Sequence, residues 1–176
     1  MIDRRGFLTA GAAMLAGAVL VPQSAFATSN RRSLFLHETH SRETAQVNYW
    51  VDGWYDPDAL HRLDILLRDW RTDEVRSMDP RLLDVMALVQ ERLGSQEPIE
   101  VICGYRSPTT NEVLANQRGG VARNSYHVTG QAADIRLPHR TLGALRQTAE
   151  ALGIGGVGYY PRSGFVHVDT GPVRTW

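Results

Sequence analysis

The segment SYHVTGQAAD, residues 125–134, leads from a polar stretch into a short apolar run, and FVHVD, residues 165–169, follows about thirty residues later. Both apolar runs have the length and composition of β-strands. Side chains two positions apart lie on the same face of a strand, so Asp134 and His167 converge if the two strands are neighbours. His127 then reaches them from the loop before the first strand. The pattern predicts one site built from two imidazoles and one carboxylate.

Two neutral imidazoles and a carboxylate are ligands that a catalytic zinc ion uses, with a fourth position left for water. Such a centre lowers the pKa of water to about 7 and polarises a carbonyl oxygen, as amide hydrolysis requires. The residues His127, Asp134 and His167 therefore favour a metal-dependent hydrolase with one zinc ion (Zn2+) per chain. The spacing alone leaves a simpler alternative open, because a histidine taken singly is more often a structural residue.

The beginning of the chain resembles an export signal. Arg4 and Arg5 precede an apolar run, and small residues follow up to Ala27. Paired arginines before such a run predict the twin-arginine export machinery as a partner, removal of residues 1–27 and a periplasmic location for residues 28–176. The apolar run is shorter than the roughly 20 residues that span a bilayer, so no membrane anchor is expected after cleavage. An uncleaved anchor is the alternative.

Length, charge and cysteine content narrow the class of protein. The chain of 176 residues is long enough for one domain with a sizeable core. Residues 28–176 contain 17 arginines and 18 acidic residues, so nothing in the charge indicates nucleic acid as a partner. Cys103 is the only cysteine, which excludes an internal disulfide and a thiolate-cluster metal site. Because it lies in the apolar run 99–103, it is expected to be a small buried hydrophobe rather than a nucleophile.

Periodicity and turn signals predict a single α+β domain with a small antiparallel sheet and flanking helices. The predicted strands cover residues 34–36, 46–51, 99–103, 133–137, 157–160 and 165–169. Four helices are predicted. The first begins after Asp56 and includes Trp70, and the second begins after Asp79 and stops at Gly94. The third covers residues 108–116 and the fourth covers residues 141–152. A glycine-rich surface loop, residues 119–126, is expected to lead into the site.

Several stretches, taken together, resemble one known family. They are GYRSP at 104–108 with Asn111, GVA at 120–122, Ser-x-His-x-x-Gly-x-Ala-x-Asp at 125–134, GGVGYY at 155–160 and FVHVDTGP at 165–172. They resemble the exported zinc peptidases of the murein endopeptidase K type, within the D-alanyl-D-alanine peptidase and hedgehog-like superfamily. The resemblance covers residues 34–176, nearly all of the expected mature chain.

The resemblance implies a zinc peptidase domain in residues 28–176 with a hedgehog-like and DD-peptidase-like fold. It implies zinc held by His127, Asp134 and His167, and cleavage of the peptide cross-links between peptidoglycan stem peptides. Arg106 matches the arginine with which relatives hold a substrate carbonyl or carboxylate. A guanidinium suits that role, since it donates two parallel hydrogen bonds to developing negative charge. A structural ion pair with an acidic residue is the alternative for Arg106.

Three neighbours of this arginine are further candidates. Tyr105, Ser107 and Asn111 are expected to bind substrate as part of the cleft wall, with shaping of the turn as the alternative.

The chain departs from the resemblance at the catalytic base. Several relatives carry an acidic residue three positions before the last histidine, or a histidine two before it, where this chain has Gly164 and Phe165. Asp169 shares a strand face with His167 and is expected to act as the base through a water molecule. Pairing with Arg136 or with a backbone amide is an equally good alternative for Asp169.

We therefore expect a murein endopeptidase that acts in cell-wall remodelling. A carboxypeptidase that trims a terminal D-alanine is one alternative, and it needs a positively charged pocket for a free carboxylate, whereas an endopeptidase needs a groove open at both ends. The sequence has no clear insertion to serve as a lid, which favours a groove open at both ends. A non-catalytic murein-binding module that keeps zinc for structure is the second alternative, and the missing base supports it.

Overall fold

The computed structural model describes residues 30–117 and 122–176. In these residues the chain forms eight β-strands, four α-helices and one short 3₁₀ turn. The strands are β1 Arg31–Glu38, β2 Thr44–Val51, β3 Trp54–Tyr55, β4 Ile99–Cys103, β5 Ala132–Arg136, β6 Gly156–Tyr160, β7 Phe165–Asp169 and β8 Arg174–Thr175. The helices are α1 Pro57–Leu66, α2 Pro80–Arg92, α3 Pro108–Gln117 and α4 Leu142–Leu152, and the 3₁₀ turn covers Tyr126–Thr129.

Two aspartates determine where the first two helices begin. The side chain of Asp56 accepts hydrogen bonds from the amides of Asp58 and Ala59, and that of Asp79 accepts one from the amide of Arg81. Each aspartate is followed by a proline, which lacks the amide hydrogen that would go unpaired in the first turn. The predicted starts of both helices are confirmed.

The first helix is shorter than predicted. It ends at Leu66, with Leu67 as its C-cap, so Trp70 lies in the turn beyond it rather than within it. The side chain of Asp69 accepts a hydrogen bond from the amide of Ser107, 2.8 Å away. This tertiary contact draws the chain away from the helical path, which local apolar spacing could not reveal.

The strands form one sheet in the order β3-β2-β1-β4-β5-β7-β6-β8. Most neighbours are antiparallel, while β1 with β4 and β6 with β8 are parallel. The edge strands β3 and β8, two residues each, were not predicted, because so short a segment carries no measurable period. The predicted α+β fold class is confirmed, with a larger sheet than expected.

Helices α2 and α4 pack together on one face of the sheet. On β7, Val166 and Val168 are buried in this hydrophobic core, whereas His167 and Asp169 alternate to the opposite face. The core helices therefore leave one face of β7 available for polar side chains, and the candidate site lies there.

The predicted signal peptide, residues 1–27, lies outside the described residues, as does the part 118–121 of the predicted surface loop. Among residues 30–117 and 122–176, no helix has both the length and the apolar character needed to cross a bilayer.

Candidate metal centre and cleft

The pairing of two strands places Asp134 beside His167. β5 and β7 are antiparallel neighbours, and these two residues are directly opposite each other in the register. His127 comes from the 3₁₀ turn, and its own amide donates to the side chain of Ser125 at the start of that turn. All three side chains are buried, with 3–8% of each residue exposed. The structure thus brings together the three residues that the sequence singled out.

Gly130 allows the 3₁₀ turn to approach the rest of the fold closely. Its φ of 72° lies in the left-handed region. A Cβ atom at this position would lie 2.5 Å from the carbonyl oxygen of Ser77, which is too close for any side chain. The carbonyl of Gly130 also accepts a hydrogen bond from the amide of Asp79, 2.8 Å away. The turn that carries His127 is therefore held against the start of α2.

Three donor atoms form a small triangle. Asp134 Oδ1 lies 2.9 Å from His167 Nδ1 and 3.3 Å from His127 Nε2, and the two nitrogens are 3.2 Å apart. A tetrahedral zinc ion with bonds of about 2.0–2.1 Å separates its ligands by about 3.3 Å. The observed distances fit that geometry.

The outer nitrogen of each imidazole has its own acceptor. His127 Nδ1 lies 2.8 Å from the carbonyl oxygen of Gly104, and His167 Nε2 lies 3.0 Å from Asp169 Oδ2. If these outer nitrogens carry the ring hydrogens, both inner nitrogens present lone pairs towards Asp134. Zinc-binding histidines are held by partners of this kind.

The charges in the triangle favour a cation at its centre. Burial alone would raise the pKa of Asp134, but the imidazoles of His127 and His167 outweigh burial and hold this pKa well below its usual range. Burial also disfavours a charged His127, yet Asp134 and Cys103 outweigh it and raise the pKa of His127 well above the usual range. The cluster therefore favours positive charge, which a proton or a divalent metal ion can supply.

Cys103 is a fourth potential donor. Its Sγ, a nitrogen of His127 and an oxygen of Asp134 all lie within 4.8 Å of one another. The thiol is buried, and Arg106 Nη2 lies 3.5 Å from it. The apolar run 99–103 predicts only that this cysteine is a small buried hydrophobe, and no local pattern indicates its place beside the two ligand candidates. The bulge between β4 and β5, where Cys103 pairs with Asp134, creates that proximity.

Arg106 extends from the turn after β4 to the same centre. Its Nη2 lies 3.9 Å from Asp134 Oδ2, and its Nη1 donates to Asn111 Oδ1 over 3.3 Å. The Nε atom is buried and has no hydrogen-bond acceptor among the described residues. An unpaired buried donor is costly unless a ligand completes it. Arg106 lines a cleft of about 220 Å³ together with the three triangle residues.

Comparison with known proteins agrees with this geometry. Residues 26–176 match the model of the family described as peptidoglycan L,D-endopeptidase MepK. The chain belongs to the MepK family. The peptidoglycan L,D-endopeptidase MepK of Escherichia coli strain K12 is 40% identical over 177 aligned residues, which cover 99% of this chain and 97% of that protein. A probable peptidoglycan L,D-endopeptidase MepK of Haemophilus influenzae is 42% identical over 178 residues, covering 99% and 95%. The resemblance recognised from the sequence is confirmed.

In this MepK family member, Asp169 lies behind His167 rather than in the cleft. Its carboxylate accepts hydrogen bonds from the amides of Gly156 and Gly171, and it forms an ion pair with Arg174 at 2.7 Å. Burial raises its pKa, but His167, Arg174 and the amides outweigh burial and hold the pKa of Asp169 well below its usual range. So weak a base, 1% exposed, has contacts unlike those expected of a catalytic base.

The pairing of Asp169 matches one of the alternatives left open by the sequence. Backbone amides do hold its carboxylate. The expected arginine partner is different, because Arg136 forms its ion pair with Glu100 on β4 and Arg174 takes its place beside Asp169. Arg136 lies at the exposed end of β5, whereas Arg174 comes from the short edge strand that the sequence did not reveal.

The three predicted substrate-binding residues are not among those that line the cleft, and their role in binding stays a prediction. Tyr105 packs in the hydrophobic core, and Ser107 is fully buried with its hydroxyl 3.1 Å from Thr110 Oγ1. Asn111 donates to the carbonyl oxygens of Ala122 and Arg123 while it accepts from Arg106. Their contacts are those of residues that shape the turn and hold Arg106.

The opposite wall of the cleft is aromatic, and the sequence predicts no substrate contact for its residues, although it favours the core or a cleft wall for Trp176. Tyr160 and Phe165 stack with ring centres 4.7 Å apart, and the indole of Trp176 lies 5.4 Å from the ring of His167. All three line the cleft, as do Tyr126 and Arg174. The GGVGYY segment was the available signal, since Gly156, Gly158 and Tyr160 are two positions apart and share one face of β6.

Proposed function

We propose that this chain is a zinc-dependent peptidoglycan endopeptidase that hydrolyses peptide cross-links during cell-wall remodelling. The observation that carries the proposal is the triangle of Asp134 Oδ1, His127 Nε2 and His167 Nδ1, with sides of 2.9–3.3 Å and an acceptor behind each imidazole. The names of the relatives from Escherichia coli and Haemophilus influenzae support an L,D bond as the one that is cut.

His127, Asp134 and His167 would hold one zinc ion. When bound there, zinc supplies a Lewis acid that polarises the amide carbonyl and lowers the pKa of a coordinating water to about 7. The two neutral imidazoles and one carboxylate leave a net positive charge at the site. Two of the three lie on paired strands, so little movement is needed to form the complete ligand set.

Arg106 is the residue that we assign to the substrate oxygen. Arg106 lines the cleft beside the three triangle residues, and Asn111 holds its guanidinium through Nη1. A donor that is already fixed stabilises the negative charge that develops on the carbonyl oxygen without further reorganisation. Arg106 Nη2 lies 3.9 Å from Asp134 Oδ2, so its positive charge also partly offsets the negative charge of that carboxylate.

Asp169 is assigned a positioning role instead of the role of base. Its carboxylate accepts from His167 and is itself held by Arg174 and two amides, so it fixes which nitrogen of His167 faces the centre. A buried group with a strongly lowered pKa is a poor acceptor for the proton of an attacking water.

The comparisons favour this function over the two alternatives from the sequence. A carboxypeptidase or a non-catalytic murein-binding module would have to differ in activity from relatives that carry the endopeptidase name and match over nearly their whole length. The position of Arg106 in the lining of the cleft, beside the three triangle residues, also supports a catalytic site more than a purely structural zinc site.

The test is digestion of purified peptidoglycan by the zinc-loaded protein. We expect the wild type to release cross-linked peptides as shorter products, measured by mass spectrometry, and His127→Ala to lose at least about 100-fold in rate, because a ligand is removed. His61→Ala, at an exposed position of α1, is the matched control and should keep its activity. Equal product profiles with the wild type and with His127→Ala would contradict the proposal.

We also propose that the chain is exported to the periplasm by the twin-arginine machinery through residues 1–27. The support is the pair Arg4 and Arg5 before an apolar run in the sequence. Replacing both arginines by lysine should stop export of a labelled precursor. Continued export in cells that lack the twin-arginine machinery would contradict this route.

A further inference from the structure

Two glycines on β6 face the same side of the sheet as the candidate site. Gly156 lies between Asp169 on β7 and Arg174 on β8, because β6 pairs with both strands. Two positions later, Gly158 is paired with His167. Side chains at these positions would stand between β7 and the last strand of the sheet.

The missing side chain at Gly158 leaves the space that Trp176 fills. A Cβ atom there would lie 2.7 Å from two ring atoms of the indole. The backbone of Trp176 continues the edge pairing, since its carbonyl accepts from the amide of Tyr159 over 3.0 Å. The indole Nε1 donates to the hydroxyl of Tyr160 over 2.8 Å. These contacts hold the indole across β6, next to the ring of His167.

The same arrangement at Gly156 brings Arg174 to Asp169. A Cβ atom at Gly156 would lie 2.5 Å from Arg174 Nη1 and from Asp169 Oδ2. The guanidinium also lies 4.9 Å from the centre of the Trp176 ring. The guanidinium of Arg174 and the indole of Trp176 therefore form a cation–π contact, and both side chains pack against the glycines of β6.

Trp176 is held in place and is still open to solvent. It is 48% exposed, although its Nε1, its backbone and one edge of its ring all have partners. It lines the cleft opposite Arg106. An ordered indole that keeps a large exposed surface beside a reactive centre is suited to contact a ligand.

We propose that Trp176 is a substrate-contacting residue that selects cross-links with a long methylene side chain next to the scissile amide. The inference rests on the proposed peptidase function and adds the group by which the substrate is selected. In a peptidoglycan cross-link the amide nitrogen comes from the side chain of a diamino acid, so several methylene groups lie beside the bond that breaks. A terminal alanine offers one methyl group in the same place. The flat indole, continued by the rings of Tyr160 and Phe165, has the length to cover the longer chain.

The experiment compares two peptides with the same acyl group and different amine components. One is the cross-linked dimer, and the other is the stem peptide that ends in alanine, used as a substrate or as a competing ligand. Trp176→Ala should lower kcat/KM for the dimer by roughly tenfold or more, since each methylene in an apolar site is worth about that factor. For the alanine peptide, kcat/KM as a substrate or the inhibition constant as a competing ligand should change by less than about threefold. Trp176→Phe keeps an aromatic face and should retain most of the preference.

Trp54→Ala is the matched control. Trp54 is 80% exposed and lies on β3, at the opposite edge of the sheet from Trp176. It should leave both peptides unaffected. Zinc content and the midpoint of urea unfolding are measured for each variant, so that a folding defect in Trp176→Ala is seen directly and Trp176→Phe then decides the question.

Equal losses for both peptides, or no loss for either, would overturn the inference about Trp176. A wild-type protein that cleaves neither peptide would instead overturn the proposed function. In that case the intrinsic fluorescence change on adding the dimer still tests the contact, because it should be present in the wild type and in Trp54→Ala and absent in Trp176→Ala.

Discussion

Asp169 has four hydrogen-bonding neighbours and lies on the far side of His167 from the triangle. Its carboxylate accepts from His167, Arg174 and two backbone amides, all within about 3.1 Å. Its effect on the centre passes through the imidazole, whose orientation and basicity depend on the charge behind it. A residue that acts through a ligand in this way is identified by its hydrogen bonds to that ligand, because it is itself buried.

Asp169→Asn keeps the shape of this side chain and removes its charge. We expect zinc to bind about 10- to 100-fold more weakly, because the imidazole loses a charged partner. At saturating zinc, kcat should fall much less than the affinity does. Competition with a chelator of known affinity measures the effect, and Asp73→Asn, with a 79% exposed side chain, is the control. An unchanged zinc affinity would argue against the positioning role.

Cys103 is close enough to His127 and Asp134 to be considered as a ligand. We expect Cys103→Ala to keep one zinc ion per chain and most of its activity, because the triangle already supplies three ligands. Loss of a buried side chain should lower the free energy of unfolding by about 1 kcal/mol. Metal analysis and urea unfolding provide the two readouts. If the variant purifies without zinc, the thiol belongs to the ligand set.

At the scale of elements, the centre depends on the register of β5 and β7 and on one 3₁₀ turn. A shift by one residue in that register would move Asp134 to the core face and Ala133 to the site. Ala133, Ile135, Val166 and Val168 are all buried, so such a shift would expose the apolar face. The hydrophobic core thereby fixes the relative positions of two of the three ligand candidates.

The 3₁₀ turn requires glycine at its end for two reasons, the positive φ of Gly130 and its close approach to the backbone of Ser77. Gly130 and Gly94 both have positive φ, but only Gly130 has a backbone atom within contact distance of an added Cβ. Gly94→Ala should cost about 1–2 kcal/mol from backbone strain alone. Gly130→Ala should cost about 1–3 kcal/mol more, because the methyl group meets the carbonyl of Ser77. Urea unfolding of the two variants measures the difference, and equal losses would show that the close approach has no energetic effect.

At the scale of the whole molecule, zinc should stabilise the fold. His127 and Asp134 lie more than thirty residues before His167 in the chain, and an ion that binds all three in the folded state binds the unfolded chain weakly. At a free zinc concentration 100 times the Kd, the gain is about 2.7 kcal/mol.

Removal of zinc by a chelator should therefore lower the Tm by about 5–10 °C for a domain of this size. The shift should vanish in His127→Ala and persist in His61→Ala. Scanning calorimetry with and without the chelator measures it. A wild-type Tm that is insensitive to the chelator would contradict a zinc site in this fold.

Local chemistry was sufficient to predict most of the elements from the sequence. Asp56 and Asp79 start helices because a carboxylate before a proline completes the first turn within a few residues. The strands that contain Asp134 and His167 each have an apolar pattern that is visible in the segment itself, without knowledge of its neighbours. The three ligand candidates could be chosen for the same reason, because imidazole and carboxylate are typical zinc ligands wherever they lie.

Contacts between distant segments were decided only by the tertiary structure. The sequence by itself determined the element types, the α+β class, the family resemblance and the choice of His127, Asp134 and His167. The folded chain decided that Asp169 faces Arg174, that Cys103 lies beside the centre and that Trp176 crosses Gly158 to reach His167. The place of Cys103 depends on the bulge between β4 and β5. The places of Arg174 and Trp176 depend on strand order and on the absent side chains of Gly156 and Gly158, and a two-residue edge strand carries too few residues for a local pattern to show it.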